Sequence, residues 1–110
     1  MSIVHIGDQD VWVDDDSEII IAEVRGFPVV ELSGHALRQM AIRDITKDQV
    51  LDTMRHPDQT GLPTEQGRHR FRKHKTTRVS IDVVFQEQPA HILVITAIKI
   101  DRRIVKRGKR

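Results

Sequence analysis

The sequence predicts an α+β fold in which two helices pack on an antiparallel meander sheet. Three observations carry this: apolar residues recur at helical spacing between residues 35 and 54, strict alternation follows between 68 and 85, and turn-rich segments join the alternating runs. With 110 residues the chain is bounded to a single core, burying about two-thirds of its unfolded surface.

Residues 3–6 and 11–13 read as short strands, and Asp14 to Ser17 as a turn. Ile19 to Val24 and Pro28 to Leu32 are β-branched runs split by Gly26-Phe27-Pro28, either a hairpin or one bent strand. Ser33-Gly34 supplies a capping residue for a first helix from His35 to about Arg43. Its apolar face is Leu37, Met40 and Ala41, and His35, Arg38, Gln39 and Arg43 fall opposite. Thr46-Lys47-Asp48-Gln49 fits a capping box, and Val50, Leu51 and Met54 give the second helix its buried stripe. That helix stops by His56, because Pro57 disfavours helical geometry in the residue before it.

Asp58 to Gly67 is a loop by its glycines and proline. Beyond it, alternation puts Arg68, Arg70, Arg72 and His74 on one face of a strand and His69, Phe71 and Lys73 on the other. Lys75 to Thr77 is a turn, Arg78 to Phe85 a strand, and Glu87 to Ala90 the next turn. Ile92 to Ile98 is apolar on both faces, the pattern of a central strand.

Composition narrows the function. The longest apolar runs, Ile19 to Ala22 and Ile92 to Ile95, are of strand length, far below the roughly 18 residues of a membrane span. A soluble, cytoplasmic protein without a secretion signal is expected. With no cysteine there is no thiol nucleophile and no Cys-built zinc site, and no His-Glu-x-x-His or clustered ligand spacing points to a metal. With no tyrosine and one tryptophan, few rings are available to stack bases.

Charge is segregated along the chain. Residues 1–32 hold eight acids against Arg25 alone, a net −7, whereas 33–110 hold 17 bases and eight acids, a net +9. No acid occurs between Glu65 and Asp82, where Arg68, Arg70, Arg72, Lys73, Lys75 and Arg78 accumulate, a polyanion footprint. The chain therefore divides into an acidic strand-rich extension (1–32), a main domain (33–105) and a basic tail (106–110).

If the cationic face of the first helix borders the arginine strand, a cleft forms that contains an imidazole and several guanidiniums. RNA carries its own nucleophile, the 2′-hydroxyl, so such a cleft need only remove its proton, hold in-line geometry and stabilise the phosphorane. The product is a 2′,3′-cyclic phosphate. His5, His56 and His91 are isolated and read as structural or surface residues.

The run Ser33-Gly34-His35-Ala36-Leu37-Arg38-Gln39-Met40-Ala41-Ile42-Arg43-Asp44-Ile45, a second helix ending in proline, Gly67-Arg68-His69-Arg70, Arg78 to Val84, and Val94-Ile95-Thr96 together resemble the domain of unknown function 4258 over residues 33–98. That family is similar to the BECR superfamily (barnase, EndoU, colicin and RelE type) of small metal-independent ribonuclease toxins. The resemblance implies His35 as general base or acid, Arg43 and Arg70 as phosphate clamps and Thr96 as a hydrogen-bond donor. Arg38, Arg68, Arg72, His74 and Arg78 are expected as further RNA or phosphate contacts. It implies no cofactor, RNA as substrate, and a cognate acidic antitoxin or immunity protein as partner. Where the family commonly has an aromatic after the threonine, Ala97 and Ile98 stand here, so His74 or His69 would substitute as acid/base partner. The alternative is a non-catalytic basic module that binds nucleic acid or protein.

Overall fold

β-branched runs and two capped helices fold, in a computed structural model that describes residues 1–102, into nine elements. They are β1 (Ser2–Ile6), β2 (Gln9–Val13), β3 (Glu18–Val24), β4 (Phe27–Leu32), α1 (Gly34–Arg43), α2 (Lys47–Arg55), β5 (His69–His74), β6 (Val79–Glu87) and β7 (Ile92–Asp101). The expected basic tail lies outside the described residues.

The fold is α+β, but the sheet is not a meander. Its order is β3-β4-β7-β6-β5, and β4 pairs parallel with β7 from Val30↔Ile92 to Leu32↔Val94. The helices and the β5–β6 hairpin are inserted between these two strands, so β7 returns beside β4 in the same direction. Short turns between strands give antiparallel neighbours; here the helical pair is itself part of a crossover. β7 is the central strand of the five, as its apolar run predicts, although the face carrying Thr96, Ile98 and Ile100 is only partly buried.

The acidic lead-in divides in two. β1 and β2 form a separate two-stranded sheet, whereas β3 and β4 are a hairpin of the main sheet and place Val24, Val30 and Leu32 in the core. Their turn is Arg25-Gly26, both at positive φ (54° and 87°). For arginine that geometry costs about 1 kcal/mol. Its guanidinium is in return held over the rings of Phe71 (5.0 Å) and Phe85 (5.7 Å), and its Nε donates to Glu87 at 3.0 Å. Because β3 and β5 are opposite edges of the sheet, this contact requires the sheet to curl round the helical side, and α2 touches β3 as well as β5 and β6.

One face is covered by α2, and α1, lying along the edge of β7, closes the core beside it. Met40, Val50, Leu51 and Met54 pack with Phe71, Ile81, Val83, Phe85, Val94 and Ala97. Cross-strand register then assigns the other face: Arg70, Arg72 and His74 on β5, opposite Val84, Asp82 and Ser80 on β6, and Thr96, Ile98 and Ile100 beyond them on β7. The alternation read from the arginine strand is therefore correct, with Phe71 inward and the arginines on the helix-free face.

The caps form as their residues dictate. Ser33 Oγ accepts from the Ala36 N–H, and Thr46 with Gln49 makes both bonds of a capping box. The apolar face of α1 is rotated from expectation: Ala36 and Met40 are buried, whereas Ala41 and Ile42 are exposed. The rotation follows from where α1 lies, along the edge of β7 that β4 leaves free beyond Leu32.

Candidate functional site

Three strands build the site. On the helix-free face, Asp82 is fully buried, and its carboxylate accepts from Arg70 Nε (2.7 Å), Arg72 Nε (2.7 Å) and Arg72 Nη2 (2.9 Å). Burial pushes this carboxyl up, but the hydrogen bonds from Arg72 and Arg70 outweigh it and hold Asp82 below the ordinary carboxylate range. The Asp82 hydrogen bond likewise raises Arg72 despite its desolvation. Two guanidiniums share one carboxylate, so the cluster keeps a net positive charge in a fixed geometry, with each guanidinium still partly exposed.

Thr96 shares this face, in register with Val84 and so with Arg70. Two interstrand steps separate the Cα atoms of Thr96 and Arg70, about 10 Å. The other margin of this strip is α1. Ser33 Oγ donates to the carbonyl of Ile95 (3.1 Å) and Arg43 Nη1 to that of Ala97 (3.2 Å), so α1 saturates the free edge of β7 on either side of Thr96. Arg43 also donates to Gln39 Oε1. His35, Gln39 and Arg43 are spaced four apart and form one stripe of the helix. His35 is exposed in the first turn and has no hydrogen bond or ion pair among the described residues.

The predicted residues are thus sorted. Arg70, Arg72 and Thr96 share a face, and Arg43 is tied to the carbonyl next to Thr96. His35 stands on the bordering helix and makes no bond to the guanidiniums of β5. Arg38 points toward Asp16 (3.9 Å), whose carboxylate packs where a Cβ on Gly34 would lie. Arg68 pairs with Glu65 at 2.9 Å, just before the strand. His74 Nδ1 is bonded to Ser80 Oγ at 2.8 Å, and Arg78 lies at the far end of the same face. His69 is on the helix side, stacked on Phe85 at 5.1 Å. It therefore cannot join Arg70 and Arg72, and His74 is four residues along β5 from Arg70, about 13 Å.

Sequence reasoning missed Asp82. A hairpin centred on Thr77 puts Arg72 opposite position 82, and that register was the available signal. It also read His91 as isolated. His91 is buried, with Nε2 2.9 Å from Glu31 Oε1, beside a cleft of about 400 Å³ that the β1–β2 hairpin helps to line. His5 instead pairs with Asp10 on the hairpin.

Residues 32–99 match the family model of the domain of unknown function DUF4258. The chain belongs to this family. The DUF4258 match begins at the end of β4 and covers both helices, β5, β6 and nearly all of β7, leaving out the β1–β2 hairpin. No curated protein and no solved structure gives a significant match. No helix of the described DUF4258 chain is long and apolar enough to cross a membrane.

Proposed function

We propose that this DUF4258 protein is a small BECR-type endoribonuclease of toxin kind, which cleaves RNA without a metal at the strip between α1 and β5. The observation that carries this reading is the fixed Arg70–Asp82–Arg72 cluster on the same open face as Thr96, with the His35–Gln39–Arg43 stripe at its border. A phosphodiester over this strip meets forked guanidinium donors from one side and a hydroxyl from the other. His35 takes the 2′-hydroxyl proton, the 2′-oxygen bonds to phosphorus, and the bond from phosphorus to the 5′-oxygen breaks. The leaving oxygen takes a proton from water, which reaches this open face. The products are a 2′,3′-cyclic phosphate and a 5′-hydroxyl.

Incubation of pure protein with RNA in EDTA tests this. Fragments ending in cyclic phosphate are expected, with a rate lowered about 10²-fold or more by His35→Ala. Cleavage that vanishes on chelation, or persists unchanged in that variant, overturns the assignment.

A second reading has its own observation in its favour: a catalytic imidazole is usually oriented by a carboxylate or carbonyl, and among the described residues none orients the His35 ring. Under it the same face binds RNA, or an acidic antitoxin or immunity protein, and turns nothing over. Arg70→Ala then weakens binding while wild-type protein yields no cleavage product.

A further inference from the structure

The described chain contains 13 lysines and arginines, and ten of them are already engaged. Arg25 is held by Glu87, Arg38 by Asp16, Lys47 by Glu18, Arg68 by Glu65, Arg70 and Arg72 by Asp82, and Lys73 by Asp52. Arg43, Arg55 and Lys99 donate to the backbone carbonyls of Ala97, Glu23 and Asp44. The side chains of Lys75, Arg78 and Arg102 alone have no hydrogen bond or ion pair among the described residues, and all three are exposed.

All three are at one end of the sheet, Arg78 and Arg102 side by side and Lys75 across the turn, where it also borders a small cleft with Gln49 and Asp52 of α2. Lys75 and Arg78 belong to the β5–β6 turn, and the backbone N–H of Arg102 donates to the Arg78 carbonyl at 2.9 Å. Strand alternation puts Arg78 and Arg102 on the face that carries Arg70, Arg72 and Thr96, while Asp101 alternates to the other face. His74, Thr76, Thr77 and Arg102 line an open cleft of about 410 Å³ there. Hydroxyl groups, a guanidinium and an imidazole surround it, and among the described residues no carboxylate lines it. Trp12 is on the hairpin, Phe27 packs against the core and Phe71 and Phe85 lie within it, so among the described residues the His74 imidazole is the ring at this cleft.

We propose that this end of the sheet is a phosphate subsite for a single-stranded nucleic-acid backbone, separate from the Arg70–Asp82–Arg72 strip. The inference rests on the reading above for the substrate being RNA, and it moves the binding strength away from the reacting bond. Arg78 lies four residues from Asp82 along β6, about 13 Å, so one strand of several nucleotides spans both places. Unpaired cations release the most counterion when they meet phosphate, whereas Arg70 and Arg72 have part of their charge already matched by Asp82. Contacts to phosphate alone do not distinguish bases or the 2′-hydroxyl.

The test is fluorescence anisotropy of the full chain with a labelled 2′-deoxy oligonucleotide of about ten residues, which covers the subsite and, lacking the nucleophile, is not cleaved. Lys75→Ala, Arg78→Ala and Arg102→Ala combined should weaken binding tenfold or more and flatten the slope of log affinity against log salt by about two. A melting curve checks that the variant folds, which is expected because none of the three side chains is engaged. Affinity within twofold of wild type with an unchanged slope overturns the subsite, as does a wild-type protein that binds no oligonucleotide. If binding falls as expected while wild type cleaves no RNA, the subsite stands and the nuclease reading falls. If RNA is cleaved and the triple variant binds normally, the reverse holds.

Discussion

Asp82 governs the arginine strand at the level of single atoms. Its carboxylate is buried among two guanidiniums, so removing it leaves two positive charges without their partner. Asp82→Ala is expected to lower stability by about 3 kcal/mol in chemical denaturation. Since the folded-state carboxyl is held below its ordinary range, its contribution is complete above that range and is lost as pH falls through the depressed value. Wild type should therefore lose melting temperature in that acid window, and Asp82→Asn should show a shallower loss there. Equal acid slopes would remove Asp82 from this role. Ser33 joins two jobs in one hydroxyl, capping α1 and bonding the Ile95 carbonyl. Ser33→Ala should cost about 1–2 kcal/mol, read by urea unfolding.

Among the elements, α1 shows best what was legible in the sequence. Its ends were, because caps are local: Ser33 and the stop near Arg43 need only neighbouring residues. Its orientation was not. Ala41 belongs to an apolar stripe on a helical wheel, yet it is exposed because α1 lies along an edge of β7 and not flat on the sheet. That edge exists only because β4 ends at Leu32, a fact of pairing between distant segments. Likewise the alternation of β5 gave the face of each arginine, but the burial of Asp82 depends on the register with β6. The Glu31–His91 pair joins β4 to the residue before β7 and has no local signature at all. β5 illustrates the same point at its outer edge, where residues 58–62 of the loop bond to Arg70 and Arg72 through the backbone and cover what alternation alone would leave bare.

For the molecule as a whole, the acidic lead-in is two structures with different stakes in the core. β1 and β2 contribute nothing to the main hydrophobic cluster, whereas β3 and β4 supply Val24, Val30 and Leu32. Deleting residues 1–13 should leave a cooperatively folding protein, and deleting 1–32 should abolish the melting transition; circular dichroism on both truncations checks the pair. A cooperative transition in the longer deletion would show that the family-matched region folds without its two companion strands. The parallel contact between β4 and β7 has a consequence for synthesis. Leu32 and Val94 meet although the ribosome joins 61 residues between them. A nascent chain therefore carries the β3–β4 hairpin, with Ile21 exposed, through most of translation before its mate is made. Any product that terminates early, short of residue 94, leaves that hairpin permanently unmatched and prone to pair with another chain.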